Sequence, residues 1–136
     1  MEVLAGAIAG FVMGALSLGP TAMVAPDVVR AYPALRRSIQ TSASLMLTSM
    51  VAVFLLSAVW TLLGTLLGLV YRWALQGFPG EGLLSPNAFF SLAMLLAAPA
   101  FPLAIALVLR RWSWPGAIVG VLFAGVFGWL LPYLAK

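Results

Sequence analysis

The residues in this chain that could do chemistry are few and soon placed. Ser57, Thr61 and Thr65 recur at four-residue spacing inside a long apolar run, so a helix carries their hydroxyls on one face. Hydroxyls in such a helix ordinarily bond back to the carbonyl one turn earlier, or across to a neighbouring helix. The sharper alternative is a polar stripe along the path of a neutral or anionic solute. Pro99 and Pro102 stand three apart in LAAPAFPLA. Each proline removes a backbone donor, and a carbonyl freed at membrane depth needs a partner from a neighbouring helix or from water. These two prolines either kink a packing helix or break it beside the same solute path. Met46 and Met50 share a helix face, and thioethers suit Cu(I), but methionine is far more often a flexible gap-filler. No metal or cofactor site is assigned.

What the composition lacks removes more functions than these residues add. There is no Cys, so disulfides and thiolate metal sites are excluded, and there is no His, the commonest metal ligand and proton shuttle. No serine has a base to activate it, and no enzyme is expected. The three acids, Glu2, Asp27 and Glu81, fall at span ends or in loops, which argues against a proton-driven carrier. The seven Lys and Arg residues are scattered, so nucleic acid is not an expected partner.

The elements that must position these residues are apolar helices. Hydrophobic residues make up 64% of the chain and charged residues 7%, against about a quarter charged in a soluble domain. The pattern predicts an all-α integral membrane protein. Residues 1–136 form a single four-helix transmembrane domain, an antiparallel bundle with spans at about 3–25, 42–71, 87–109 and 116–135, the first and third kinked. The organising element is 42–71, uncharged and proline-free, long enough to cross a bilayer with residues to spare. Trp60 lies near its middle, away from the interfaces where Trp concentrates, and is read as a packing residue. The start of the chain lacks the basic region of a signal peptide, so the first apolar stretch is kept as a span.

Small residues predict where backbones approach. Gly6, Gly10 and Gly14 line one face of span one, Gly64 and Gly68 one face of span two, and Gly116, Gly120, Ala124 and Gly128 one face of span four. Gly19-Pro20 should kink span one or end it early. In the first loop, residues 26–41, Pro26 and Asp27 suit the first turn of a short helix. There Val28, Tyr32, Leu35 and Ile39 form a crude amphipathic pattern broken by Pro33. The second loop, 72–86, begins at Arg72 and Trp73. It contains GFPGEG with a solvated Glu81, and ends in a Ser85-Pro86 helix start. The short Arg110–Pro115 connection makes spans three and four antiparallel neighbours.

Basic residues sort by side. Arg30, Arg36, Arg37, Arg110 and Arg111 fall in loops one and three and are assigned to lipid headgroups; Arg72 and Lys136 fall on the other side. The positive-inside rule then places both termini outside the cytoplasm of a multi-pass cell-membrane protein. Tyr71, Trp73, Trp129 and Tyr133 form the outer aromatic belt and Tyr32, Trp112 and Trp114 the inner one.

The segment GAIAGFVMGALSLGPT, residues 6–21, resembles the glycine-rich first helix of lysine-exporter-type amino-acid exporters. The likeness covers about a tenth of the chain, and such exporters have more spans than this chain holds, so it carries no function over. The functional expectation is a small non-catalytic membrane subunit that packs against partner membrane proteins or copies of itself. The alternative is a small homo-oligomeric channel or carrier for a neutral or anionic solute, with Ser57, Thr61, Thr65, Pro99 and Pro102 along its path.

Overall fold

The structure is a computed structural model and describes residues 1–77 and 86–136; Glu81, the rest of GFPGEG after Gly77, and Ser85 lie outside them. The described residues are helical, without strands, and include four helices long and apolar enough to cross a membrane. In chain order these are α1 (Glu2–Ala31), the short α2 (Pro33–Ser38) and α3 (Ser42–Gly77). A third long segment follows as α4 (Pro86–Ala97) and α5 (Ala100–Leu109). The fourth comprises α6 (Trp114–Gly125), a π-helical turn (Val126–Leu130) and α7 (Leu131–Leu134).

Several boundaries differ from those expected, each for a local reason. α1 does not end at Pro20. It runs through both Pro20 and Pro26 to Ala31, because a proline's φ is already helical and only one carbonyl per proline loses its donor. Pro26 and Asp27 therefore lie inside α1, and the short helix starts instead at Pro33, at the first helical position where its missing N–H is not needed. Arg72 and Trp73 belong to the last turns of α3 rather than to a loop. At 36 residues α3 is about 54 Å long. Span three is divided by a turn at Ala98–Pro99. Pro99 caps α5 and Pro102 falls in its first turn, so neither needs a donor. The Ala98 carbonyl takes the Phe101 N–H at 3.3 Å instead. The fourth span starts two residues earlier than expected, at Trp114.

The π-helical turn was not anticipated. Pro132 cannot donate to the Gly128 carbonyl, and the Leu131 N–H reaches back five residues to Val126. The Gly128 carbonyl accepts the Ser91 hydroxyl from span three, which ties the two spans.

α1 is central. It packs against α3 on one side and against α6, the π turn and α7 on another. The core it shares with them is aromatic: Trp60 lies 5.6 Å from Phe101 and 6.3 Å from Phe127, ring centre to ring centre, and Phe123 lies 4.7 Å from Phe101. Met13, Ser17, Phe127 and Leu131 are fully buried. Ser17 satisfies its hydroxyl on the Gly14 carbonyl, 3.0 Å away.

Candidate functional site

The first half of α1 and the second half of α3 meet backbone to backbone, residue numbers rising on one as they fall on the other. A Cβ on Gly6 would stand 2.2 Å from the Gly64 carbonyl oxygen, and one on Gly64 would stand 2.2 Å from that of Gly6. One on Gly10 would stand 2.3 Å from the Trp60 oxygen, and one on Gly68 2.5 Å from that of Glu2. Gly14 is looser, with Ser57 Cα at 3.2 Å from its would-be Cβ. On the fourth span Gly116 faces Pro102 at 3.0 Å, Gly120 faces the Ala98 oxygen at 2.7 Å, and Gly128 faces Ser91 and Met94 at 3.6 Å. These glycines thus meet partners within one chain: span one with span two, span four with span three.

The five residues assigned to a solute path are not brought together. Ser57, Thr61 and Thr65 line an open groove of about 920 Å³ along the seam of α1 and α3, half-buried beside Phe11 of α1 and Phe54 and Leu62 of α3. Thr61 and Thr65 each donate to the carbonyl one turn earlier, at 2.8 Å. Pro99 and Pro102 line a separate depression of about 330 Å³ against Gly120 and Ala124. Among the described residues the groove and the depression are separate and share no lining residue.

The five arginines do share one end of the molecule. Arg30 closes α1, Arg36 and Arg37 stand on α2, and Arg110 and Arg111 lie between α5 and α6. All five are exposed. Arg110 is the left-handed residue that ends α5, at φ 53°. Arg111 reaches back to the Asp27 carboxylate at 2.6 Å, which holds that connection against the end of α1. At the opposite end the Tyr71 hydroxyl meets the Asn87 side chain, joining the end of α3 to the start of span three.

Sequence reasoning missed one feature. Beyond Gly14, α1 and α3 part, and a cleft opens between the second half of α1 and the first half of α3. One part, about 390 Å³, reaches inward to Ile105, Pro115 and Val119 and is covered by Leu35 and Ile39 on and beside α2. The other, about 440 Å³, reaches outward to Leu18, Val53 and Leu56. The two share walls at Thr21, Ala25, Ile39, Leu45, Ser49 and Ala52, so the cleft passes between the helices from the bundle interior to its flank. The available signal was the end of glycine spacing after Gly14 and the appearance of Pro20, Val24, Val28 and Val29 in its place. No family model matches the chain, and neither curated proteins nor solved structures yield a match.

Proposed function

We propose that the chain is a four-pass integral membrane protein of non-catalytic character that assembles through the outer face of α3 with partner membrane subunits or with copies of itself. The observation that carries this reading is the uneven cover of the four long helices. In their most apolar windows α1 and the fourth span are 44% buried, the third span 17% and α3 only 11%. Because the glycine faces are occupied within the chain, assembly would use the uncovered surface of α3, where Met50, Val53, Phe54 and Leu62 are exposed and the half-buried Ser57, Thr61 and Thr65 border them along the seam with α1. Small and hydroxyl side chains on an otherwise apolar helix favour helix–helix approach in lipid. The arginine-rich end faces the cytoplasm and both termini face out, by the five-against-two distribution of basic residues.

Purification in a mild detergent followed by mass measurement tests this. A stable complex, with other proteins or with copies of the chain, is expected; a monomer at every detergent and protein concentration would overturn it. A second reading, the homo-oligomeric channel or carrier, is supported by the single groove that holds Ser57, Thr61 and Thr65. Copies arranged around that face would bring their hydroxyl stripes to a common axis. It requires solute flux in liposomes, reduced by Ser57→Ala with Thr61→Val.

A further inference from the structure

We propose that the cleft between α1 and α3 is a binding site for an anionic phospholipid of the surrounding membrane, one acyl chain lying in the cleft and the phosphate resting among the arginines at its end. This rests on the membrane reading but not on assembly through α3.

Three observations converge on that ligand. The first is the shape and lining of the cleft. Its inner part alone, about 390 Å³, falls in the range of roughly 300–1,000 Å³ typical of small-molecule sites. Its walls are valine, alanine, leucine, isoleucine and proline, with hydroxyls only at Thr21, Thr48 and Ser49. The Ser49 hydroxyl is already bonded to the Leu45 carbonyl at 2.8 Å. An apolar chain fits such walls, and a polar solute would lose its hydration there without return.

The second is the route in. The outer part of the cleft opens on the flank of the bundle beside Leu18, Val53 and Leu56, where a membrane would place acyl chains rather than water. A lipid tail reaches the site sideways and need not leave the hydrocarbon.

The third is charge. Arg30 directly follows the wall residue Val29, and Arg36 directly follows Leu35, the residue of α2 that covers the cleft. Arg37 is the next residue, and Arg110 and Arg111 stand in the connection that leads through residues 112–114 to the wall residue Pro115. Asp27 offsets Arg111 alone. Among the described residues the remaining arginines have no acidic partner, and their charge favours a headgroup of net negative charge over a zwitterionic one.

The experiment is native mass spectrometry of the full chain in a mild detergent, with dioleoyl phosphatidylglycerol, dioleoyl phosphatidylcholine or glycerol phosphate added. One phosphatidylglycerol is expected to stay bound per chain, with phosphatidylcholine retained roughly tenfold less and glycerol phosphate not retained. Equal retention of the two lipids would overturn the headgroup half of the proposal. Retention of glycerol phosphate as strong as that of phosphatidylglycerol would overturn the acyl-chain half. Ala52→Trp and Thr48→Phe, each checked for native helicity by circular dichroism, fill the cleft from α3 and should abolish retention. A folded variant of either kind that keeps the lipid at the level of the unmodified chain would refute the site. Arg36→Gln with Arg37→Gln should bring phosphatidylglycerol down to the level of phosphatidylcholine and leave the latter unchanged. A chain that dimerises equally with and without lipid, and never retains any, would also refute it.

Discussion

The same two helices behave oppositely at their two ends. From Glu2 to Gly14, α1 touches α3 so closely that a single added carbon on Gly6 would overlap a carbonyl oxygen. From Pro20 to Ala31, α1 stands away from α3, and the cleft occupies the space between them. The difference lies in where glycine faces the partner backbone: it does so at Gly6, Gly10, Gly64 and Gly68, whereas the cleft walls carry no glycine. Glycine lets two backbones meet, whereas every side chain beyond Gly14 adds atoms between them, so the axes part there. Closeness therefore follows the local spacing of glycine, not the helix as a whole.

This contrast can be broken at its closed end and should barely be felt at its open end. Gly6→Leu or Gly64→Leu should have the largest effect. The new side chain meets backbone, which cannot yield, and we expect loss of the folded bundle on reconstitution, read by circular dichroism and protease resistance. Gly6→Ala should follow, destabilising by about 3 kcal/mol in detergent unfolding, with Gly14→Ala smaller at about 1 kcal/mol because its neighbour lies a full ångström farther away. Equal losses at Gly6 and Gly14 would remove the graded contact. Breaking the Asp27–Arg111 pair by Asp27→Asn should cost only about 0.5 kcal/mol, since the arginine is well exposed. Thr48→Leu, on the open side, should stay within about 0.5 kcal/mol of the unmodified chain in the same assay. A large loss there would mean that the helices are as close as at Gly6. Gly19→Ala has nothing within 4 Å and should stabilise slightly, by about 0.5 kcal/mol, through helix propensity alone.

Much of the architecture was legible because long apolar runs and glycine spacing act locally. Four long apolar helices cover the four stretches the sequence marks, α1 and α3 each running about six residues past the expected end, and Trp60 packs among Phe101, Phe123 and Phe127 as a mid-span tryptophan should. The rest depended on relations between elements. A stripe of glycines announces a close approach but does not name its partner, so whether Gly6 would meet Gly64 or another chain was open. Proline weakens a helix without deciding whether it ends, because neighbouring packing decides; hence Pro20 and Pro26 lie within α1, while Pro99 stands at a turn. The π turn needed two facts at once, the missing donor of Pro132 and the Ser91 hydroxyl on another span. The cleft is a volume that no residue occupies, and no single position reports it.

The aromatic stack at the centre has a practical consequence. Of the five tryptophans, Trp60 is 6% exposed, while Trp73, Trp112, Trp114 and Trp129 are each more than half exposed. A chain in which those four are replaced by phenylalanine would keep a single indole at the middle of the bundle. Its emission maximum would then report the integrity of the assembled helices directly, in a micelle or a vesicle, without any attached dye.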